Sequence, residues 1–226
     1  MKNEIYVLVH GAWHGPQCWY GVVERLQRAG QTALTPGLSR EEILVLLRVQ
    51  PRPLILVGHS RGGLAISEAA ERLPEKVKRL VYVSGLLLRD GESGLRVLRE
   101  EGNSPLLREI VLSKDKSEWL LDEERARELF YARSPPGDIE LARIHRTREP
   151  AAPLMTPLKI SAERFGRVPR AYVHCLDDRA IPIGLQRRMV AALPCSPVYT
   201  LDADHSPFFS APAELAARLL DLRGEP

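Results

Sequence analysis

Two rhythms of apolar residues alternate along this chain. Runs that are apolar at nearly every position read as strands covered on both faces: residues 4–9, 54–58, 79–84 and 171–175. Residues 32–35 and 198–201 are shorter runs of the same kind. Between them the apolar positions recur at helical spacing. Trp19, Val22, Val23 and Leu26 share one face of a helix over 17–29, and Gly30 stops it. Residues 41–49 form a short helix closed by Pro51 and Pro53. Residues 62–73 form another, ended by Pro74, and 184–193 and 213–222 complete the set.

Strand and helix thus alternate, which predicts an α/β fold with about six mostly parallel strands flanked by helices. The stretch 89–158 breaks the rhythm. It is charged and helix-rich, no strand is evident in it, and Pro135-Pro136-Gly137 and Pro150 to Pro157 punctuate it. It is too short for a large core of its own, so it is expected to be a helical lid inserted after the fourth strand. Residues 1–88 and 159–226 then make up the core. In a parallel sheet, ligands bind beyond the C-terminal strand ends, so chemistry is sought just after each strand.

Composition narrows the field. With 226 residues the chain can bury one good core, and 44% hydrophobic with 27% charged residues is the balance of an ordinary globular protein. The net charge of +3 is small and spread along the chain, so neither nucleic acid nor a membrane surface is an expected partner. No apolar run is long enough to span a bilayer, and no signal-peptide pattern opens the sequence. Cys18, Cys175 and Cys195 are odd in number and widely spaced, which reads as reduced thiols in a cytoplasmic protein.

Gly58-His59-Ser60-Arg61-Gly62-Gly63 carries the strongest chemical signal, a G-x-S-x-G motif between a buried strand and a helix. In that setting the serine sits on a sharp turn that lifts its Oγ into the open. A serine hydroxyl needs a base to take its proton. In this arrangement the base follows an acid in the chain, so His145, His174 and His205 are the candidates by order. His205 lies in the loop after the last strand, whereas His174 falls inside a strand and His145 in the lid. Asp177 and Asp178 both follow the fifth strand, and spacing does not choose between them. Arg61, next to Ser60, and Ala12, in the loop His10-Gly11-Ala12-Trp13-His14-Gly15, can offer backbone N–H groups to an oxyanion. His10 and His14 flank a glycine-containing turn and are not set on one face of a helix as in a zinc motif, and no phosphate-binding loop is present, so no metal or nucleotide cofactor is expected.

Several motifs follow one another in a fixed order: His10 to Gly15, Cys18-Trp19, Gly58 to Gly63, Ser134-Pro135 with Glu140-Leu141-Ala142, Glu163 to Gly166, Asp178-Arg179-Ala180-Ile181-Pro182 and Asp204-His205-Ser206-Pro207. Together they resemble the methylesterase and hydroxynitrile lyase branch of the α/β-hydrolases, in particular its bacterial esterase-like members. The resemblance covers nearly the whole chain. It implies the α/β-hydrolase fold, Asp178 as the acid, Ala12 and Arg61 as oxyanion donors, and a helical cap that supplies the pocket. The lyases carry a threonine where this chain has Ala12, and a lysine where it has Ser206. Both differences favour ester hydrolysis. The segment 36–53 is shorter than is usual in the family, which trims one wall near the site.

The expected activity is hydrolysis of small carboxylic esters by Ser60, His205 and Asp178, by a monomer or homodimer without cofactors. A hydroxynitrile lyase or carbon–carbon bond hydrolase on the same triad is the alternative within enzymes. A non-catalytic small-ligand-binding protein is the alternative outside them. Expected pocket walls are Trp13, Trp119, Leu120, Leu121, Phe130, Leu154 and Met155, with Phe208 packed below.

Overall fold

The computed structural model describes residues 3–102 and 104–223. Its main sheet has six strands: β1 (Ile5–Val9), β2 (Thr32–Leu34), β3 (Leu54–His59), β4 (Val77–Val83), β8 (Arg170–Cys175) and β9 (Val198–Leu201). A small second sheet holds β5 (Val111–Leu112), β6 (Glu118–Leu120) and β7 (Glu149–Pro150). In the main sheet the spatial order is β2-β1-β3-β4-β8-β9, and every pairing is parallel. Strands β1 and β3 are buried at every residue, as their unbroken apolar runs require.

Helices flank this sheet. α1 (Tyr20–Arg28) packs against α11 (Pro212–Asp221), and α2 (Arg40–Val49) against α3 (Gly62–Arg72). α9 (Ile183–Ala192) lies against β8, and α10 (Pro207–Ser210) precedes α11. The expected helix over 17–29 divides in two: Pro16–Trp19 is a tighter 3-10 turn, and α1 begins after it.

Between β4 and β8 the chain forms α4 (Gly94–Glu100), α5 (Pro105–Glu109), α6 (Glu123–Phe130), α7 (Pro136–Ile144) and α8 (Ala151–Met155). Ser93, Ser104 and Asp122 cap the first three by accepting hydrogen bonds from backbone N–H groups of the first turn. Contrary to expectation, this stretch also holds strands: β5, β6 and β7 pair antiparallel. Each is only two or three residues long, too short for an alternating pattern to register in the sequence.

The strand registers bring the functional loops together. Gly58 lies opposite Val9, His59 opposite Val83, Val83 opposite Val173 and Cys175 opposite Leu201. The segments that leave β1, β3, β4, β8 and β9 therefore emerge side by side at one sheet edge. Ser60 is tied in directly. Its N–H donates to the Val83 carbonyl at 3.3 Å, and its carbonyl accepts from Leu86 N–H at 2.9 Å.

Beneath these loops lies an aromatic cluster centred on Phe208, whose ring is 5.2 Å from Trp19, 5.5 Å from His14 and 4.9 Å from His59. Burial drives the histidines toward the neutral form. It lowers His14 to about 3 and His10 to about 4, and holds His59 well below the usual range.

Two outcomes are expected. A Cβ at Gly62 would sit 2.7 Å from the carbonyl oxygens of Val9 and His10, a backbone-on-backbone clash. Gly62→Ala should therefore cost about 2 kcal/mol in urea unfolding and about 6 °C in melting temperature. The second concerns pH. The buried histidines are neutral when folded and titrate near 6.5 when unfolded, so their contribution is complete above that value and is lost as pH falls toward 4. Buried Glu149, pushed up to about 7, acts in the opposite sense. Unfolding between pH 6 and 5 should thus take up about two protons, a fall of about 2.7 kcal/mol per pH unit. Unfolding free energy that stays flat over this range would show that the cluster is not neutral.

Candidate active site

Ser60 occupies the turn between β3 and α3 with φ of +52°, in the left-handed region that a non-glycine residue enters only under constraint. Gly58 allows the turn to be this tight, since a Cβ there would lie 2.7 Å from the Gly62 carbonyl oxygen. The turn aims the Ser60 side chain at the loop after β9, where His205 Nε2 lies 3.1 Å from Oγ. Both residues are buried, Ser60 at 9% exposure and His205 at 2%.

On the other side of the imidazole, His205 Nδ1 lies 2.8 Å from Asp178 Oδ2. A carboxylate can only accept there, so Nδ1 carries the proton and Nε2 is free to accept from Ser60. Asp178 is held from several directions. Its Oδ1 accepts the N–H groups of Ala180 and Ile181, each at 2.8 Å. Its Oδ2 also accepts from the Gln186 amide at 3.3 Å and from the Ser84 hydroxyl. Asp177 is placed elsewhere, half-buried, with its N–H donated to the Ala203 carbonyl.

The neighbouring Asp204 is fully buried and holds the His205 loop to the segment after α6. Its carboxylate accepts from Arg133 N–H at 2.8 Å, Ser134 Oγ at 3.0 Å, Ser206 N–H at 3.0 Å and Ser210 Oγ at 2.7 Å. His59 donates Nε2–H to the His205 carbonyl at 2.7 Å and so fixes the same loop from below. Of the other histidines considered for the base, His174 is buried against Gln186 and His145 is exposed beyond α7.

Above Ser60 is a narrow cavity of about 20 Å³, room for little more than one water molecule. Ala12 and Arg61, the residues expected to donate to an oxyanion, both line it, as do Trp13, Phe130 and Leu154. Trp13 stacks on Phe130 with ring centres 5.8 Å apart, and Phe130 lies 5.2 Å from the His205 ring. Larger surface grooves, of about 650 and 640 Å³, adjoin it. One shares Trp13 and Phe130 with the cavity, and the other shares Arg61. Gly37, Leu38 and Ser39, from the shortened segment, line the second groove.

Trp119, Leu120, Leu121 and Met155 do not line the cavity. Trp119 is buried in the small sheet. Leu120 alternates with it on the opposite face and is 50% exposed, and Met155 is 44% exposed at the end of α8. Instead, Leu86, Leu98, Leu106, Ile181 and Glu149 complete the wall. Sequence reasoning missed all of these. Ser84, which directly follows β4, could have been found by the same rule that found Ser60. Glu149, between Arg148 and Pro150, gave no signal of its own.

The family model described as the alpha/beta hydrolase family matches residues 6–218. Putative methylesterase 14 of Arabidopsis thaliana is 32% identical over 247 residues, covering 96% of this chain and 71% of the plant protein. A pyrethroid hydrolase from Sphingobium faniae superposes with a TM-score of 0.85 at 27% identity over 100% of this chain and 99% of that one. Polyneuridine aldehyde esterase superposes at 0.87 and 24% identity, covering 97% and 99%, which shows a shared fold. Among the described residues no helix is long and apolar enough to cross a membrane. The chain belongs to the alpha/beta hydrolase family, in the branch that contains the plant methylesterases.

Proposed function

We propose that this protein is a serine esterase that cleaves small carboxylic esters through an acyl-enzyme on Ser60. The observation that carries the reading is the continuous chain from Ser60 Oγ through His205 to Asp178, buried at the strand ends. The methylesterase names of its relatives point to the same chemistry.

In the first step His205 Nε2 takes the Ser60 proton as Oγ attacks the ester carbonyl carbon. Asp178 stabilises the imidazolium that forms. The backbone N–H groups of Ala12 and Arg61 hold the oxygen as it gains negative charge. When the tetrahedral intermediate collapses, His205 protonates the departing alcohol. Water then attacks the acyl-enzyme by the same route and restores Ser60. Ser206, fully buried after the base, brings no cation to stabilise a departing cyanide, which sets the ester reading ahead of a hydroxynitrile lyase.

A cavity of about 20 Å³ holds no ester. We therefore assign residues 89–158 the role of a lid, whose Phe130 and Leu154 must yield for substrate to reach Ser60. The unpaired thiols of Cys18, Cys175 and Cys195 are in keeping with a reducing, cytoplasmic setting, and a small ester is the only partner the site calls for.

A fluorophosphonate should label the wild-type protein at Ser60, and Ser60→Ala should lower p-nitrophenyl acetate turnover by about 10,000-fold or more. Asp178→Asn should cost about 10,000-fold in kcat, while Asp177→Asn stays within about twofold. A Ser60→Ala protein with near-normal turnover would sink the mechanism. Phe130→Ala, by enlarging the cavity, should improve kcat/KM for p-nitrophenyl octanoate relative to the acetate by about tenfold. An unchanged ratio would mean that Phe130 does not limit the acyl pocket.

A further inference from the structure

The small sheet of the inserted segment is fastened to the oxyanion loop at several points. Trp13, at φ of +57°, offers most of them. Its indole N–H donates to the Trp119 carbonyl of β6 at 3.3 Å, and its carbonyl accepts from Thr147 N–H at 3.3 Å. The Thr147 hydroxyl donates to the next carbonyl, that of His14, at 2.8 Å. The Trp13 backbone N–H, pointing toward the Glu149 carboxyl, also favours its charged form.

Glu149 also pairs with Arg61. Its Oε2 accepts from Arg61 Nη2 at 2.9 Å, and its Oε1 is paired with Arg61 Nε. The guanidinium and the carboxylate thus form a buried ion pair with one charge-assisted hydrogen bond, which fixes their separation. Both side chains are buried, Glu149 at 2% exposure, and both line the cavity above Ser60. The stretch from Thr147 to Glu149 of the inserted segment thus holds the residue after Ala12, through the Thr147 N–H, and the residue after Ser60, through the Glu149 carboxylate. Those are the two places from which the proposed oxyanion donors come.

We infer that Glu149 is a positioning residue that sets the spacing of the two oxyanion donors, so that the inserted segment completes the catalytic site as well as covering it. The inference rests on the esterase reading above. The physical reason is steep geometry: donors help only when aimed at the place where charge develops, and a misplacement of about 1 Å costs about 100-fold. The turns at Trp13 and Ser60, both at positive φ, leave different strands, and such a tie joins them to each other directly. Burial pushes Glu149 up to about 7 against the pull of Arg61 and the Trp13 N–H, so the pair is at full strength above neutral pH.

The test compares Glu149→Ala and Glu149→Gln with wild type, measuring kcat and KM for p-nitrophenyl acetate, affinity for a phenylboronic acid that mimics the tetrahedral intermediate, and melting temperature. Glu149→Ala should lower kcat by about 100-fold, with KM within about threefold. Boronate affinity should fall in parallel with kcat/KM, because both read the oxyanion site. Glu149→Gln keeps the reach and one good acceptor, so it should recover about tenfold of that loss. Removing the charge leaves Arg61 buried and unpaired, and if Glu149→Ala does not fold, Glu149→Gln alone decides, at about tenfold below wild type. A folded Glu149→Gln or Glu149→Ala protein with kcat and boronate affinity within about twofold of wild type overturns the inference. So does a loss that falls on KM alone. If wild type neither reacts with a fluorophosphonate nor turns over esters, the esterase reading fails instead.

Discussion

The left-handed turn at Ser60 is the constraint on which the site depends. A serine at φ of +52° is held there by its surroundings, because its own preference lies elsewhere. The turn is closed by Gly58 and Gly62, which remove side chains where backbone meets backbone. It is pinned to β4 by hydrogen bonds to Val83 and from Leu86. Only a fully buried central strand can hold a strained turn rigidly. β3 is such a strand, lying between β1 and β4.

From that fixed point the parallel register does the rest. Because β1, β3, β4, β8 and β9 end level with one another, Ala12, Ser60, Ser84, Asp178 and His205 reach a common edge although they are far apart in sequence. The acid and base groups gathered there are buried and hydrogen-bonded from within. Asp178 takes four donors besides the His205 imidazole. Asp204, one residue before the base, takes four more and anchors the loop that carries it. Such a network costs little when complete and much when one member is removed. It orders the side chains before any substrate arrives, which is what acyl transfer asks of its catalyst.

The inserted segment connects to this network on two sides. Arg133 and Ser134, just beyond α6, bind Asp204 on the side of the base. Thr147, Glu149 and Trp119 bind Trp13, His14 and Arg61 on the side of the oxyanion loop. The apolar wall between these ties, with Phe130 and Leu154, lines the cavity above Ser60.

The sequence by itself determined the alternation of strands and helices, because unbroken apolar runs and helical spacing are local signals. It determined the Ser60 turn, since glycines at fixed offsets around a serine have few other uses between a strand and a helix. It also pointed to His205 and the Asp177-Asp178 pair, through their places after the last strands. Only the tertiary structure selected Asp178 by contact, because adjacent residues point in different directions and nothing local says which one meets the imidazole. Only the tertiary structure put Leu86, Leu98 and Ile181 on the cavity wall and left Leu120 and Met155 in solvent. In a segment of short helices and strands of two or three residues, the pattern is too brief to say which face turns inward. Glu149 was out of reach for the same reason. A lone acid among Arg146, Arg148 and Pro150 looks like an exposed charge, and it becomes a buried clamp only once β7 is folded against Arg61 and Trp13.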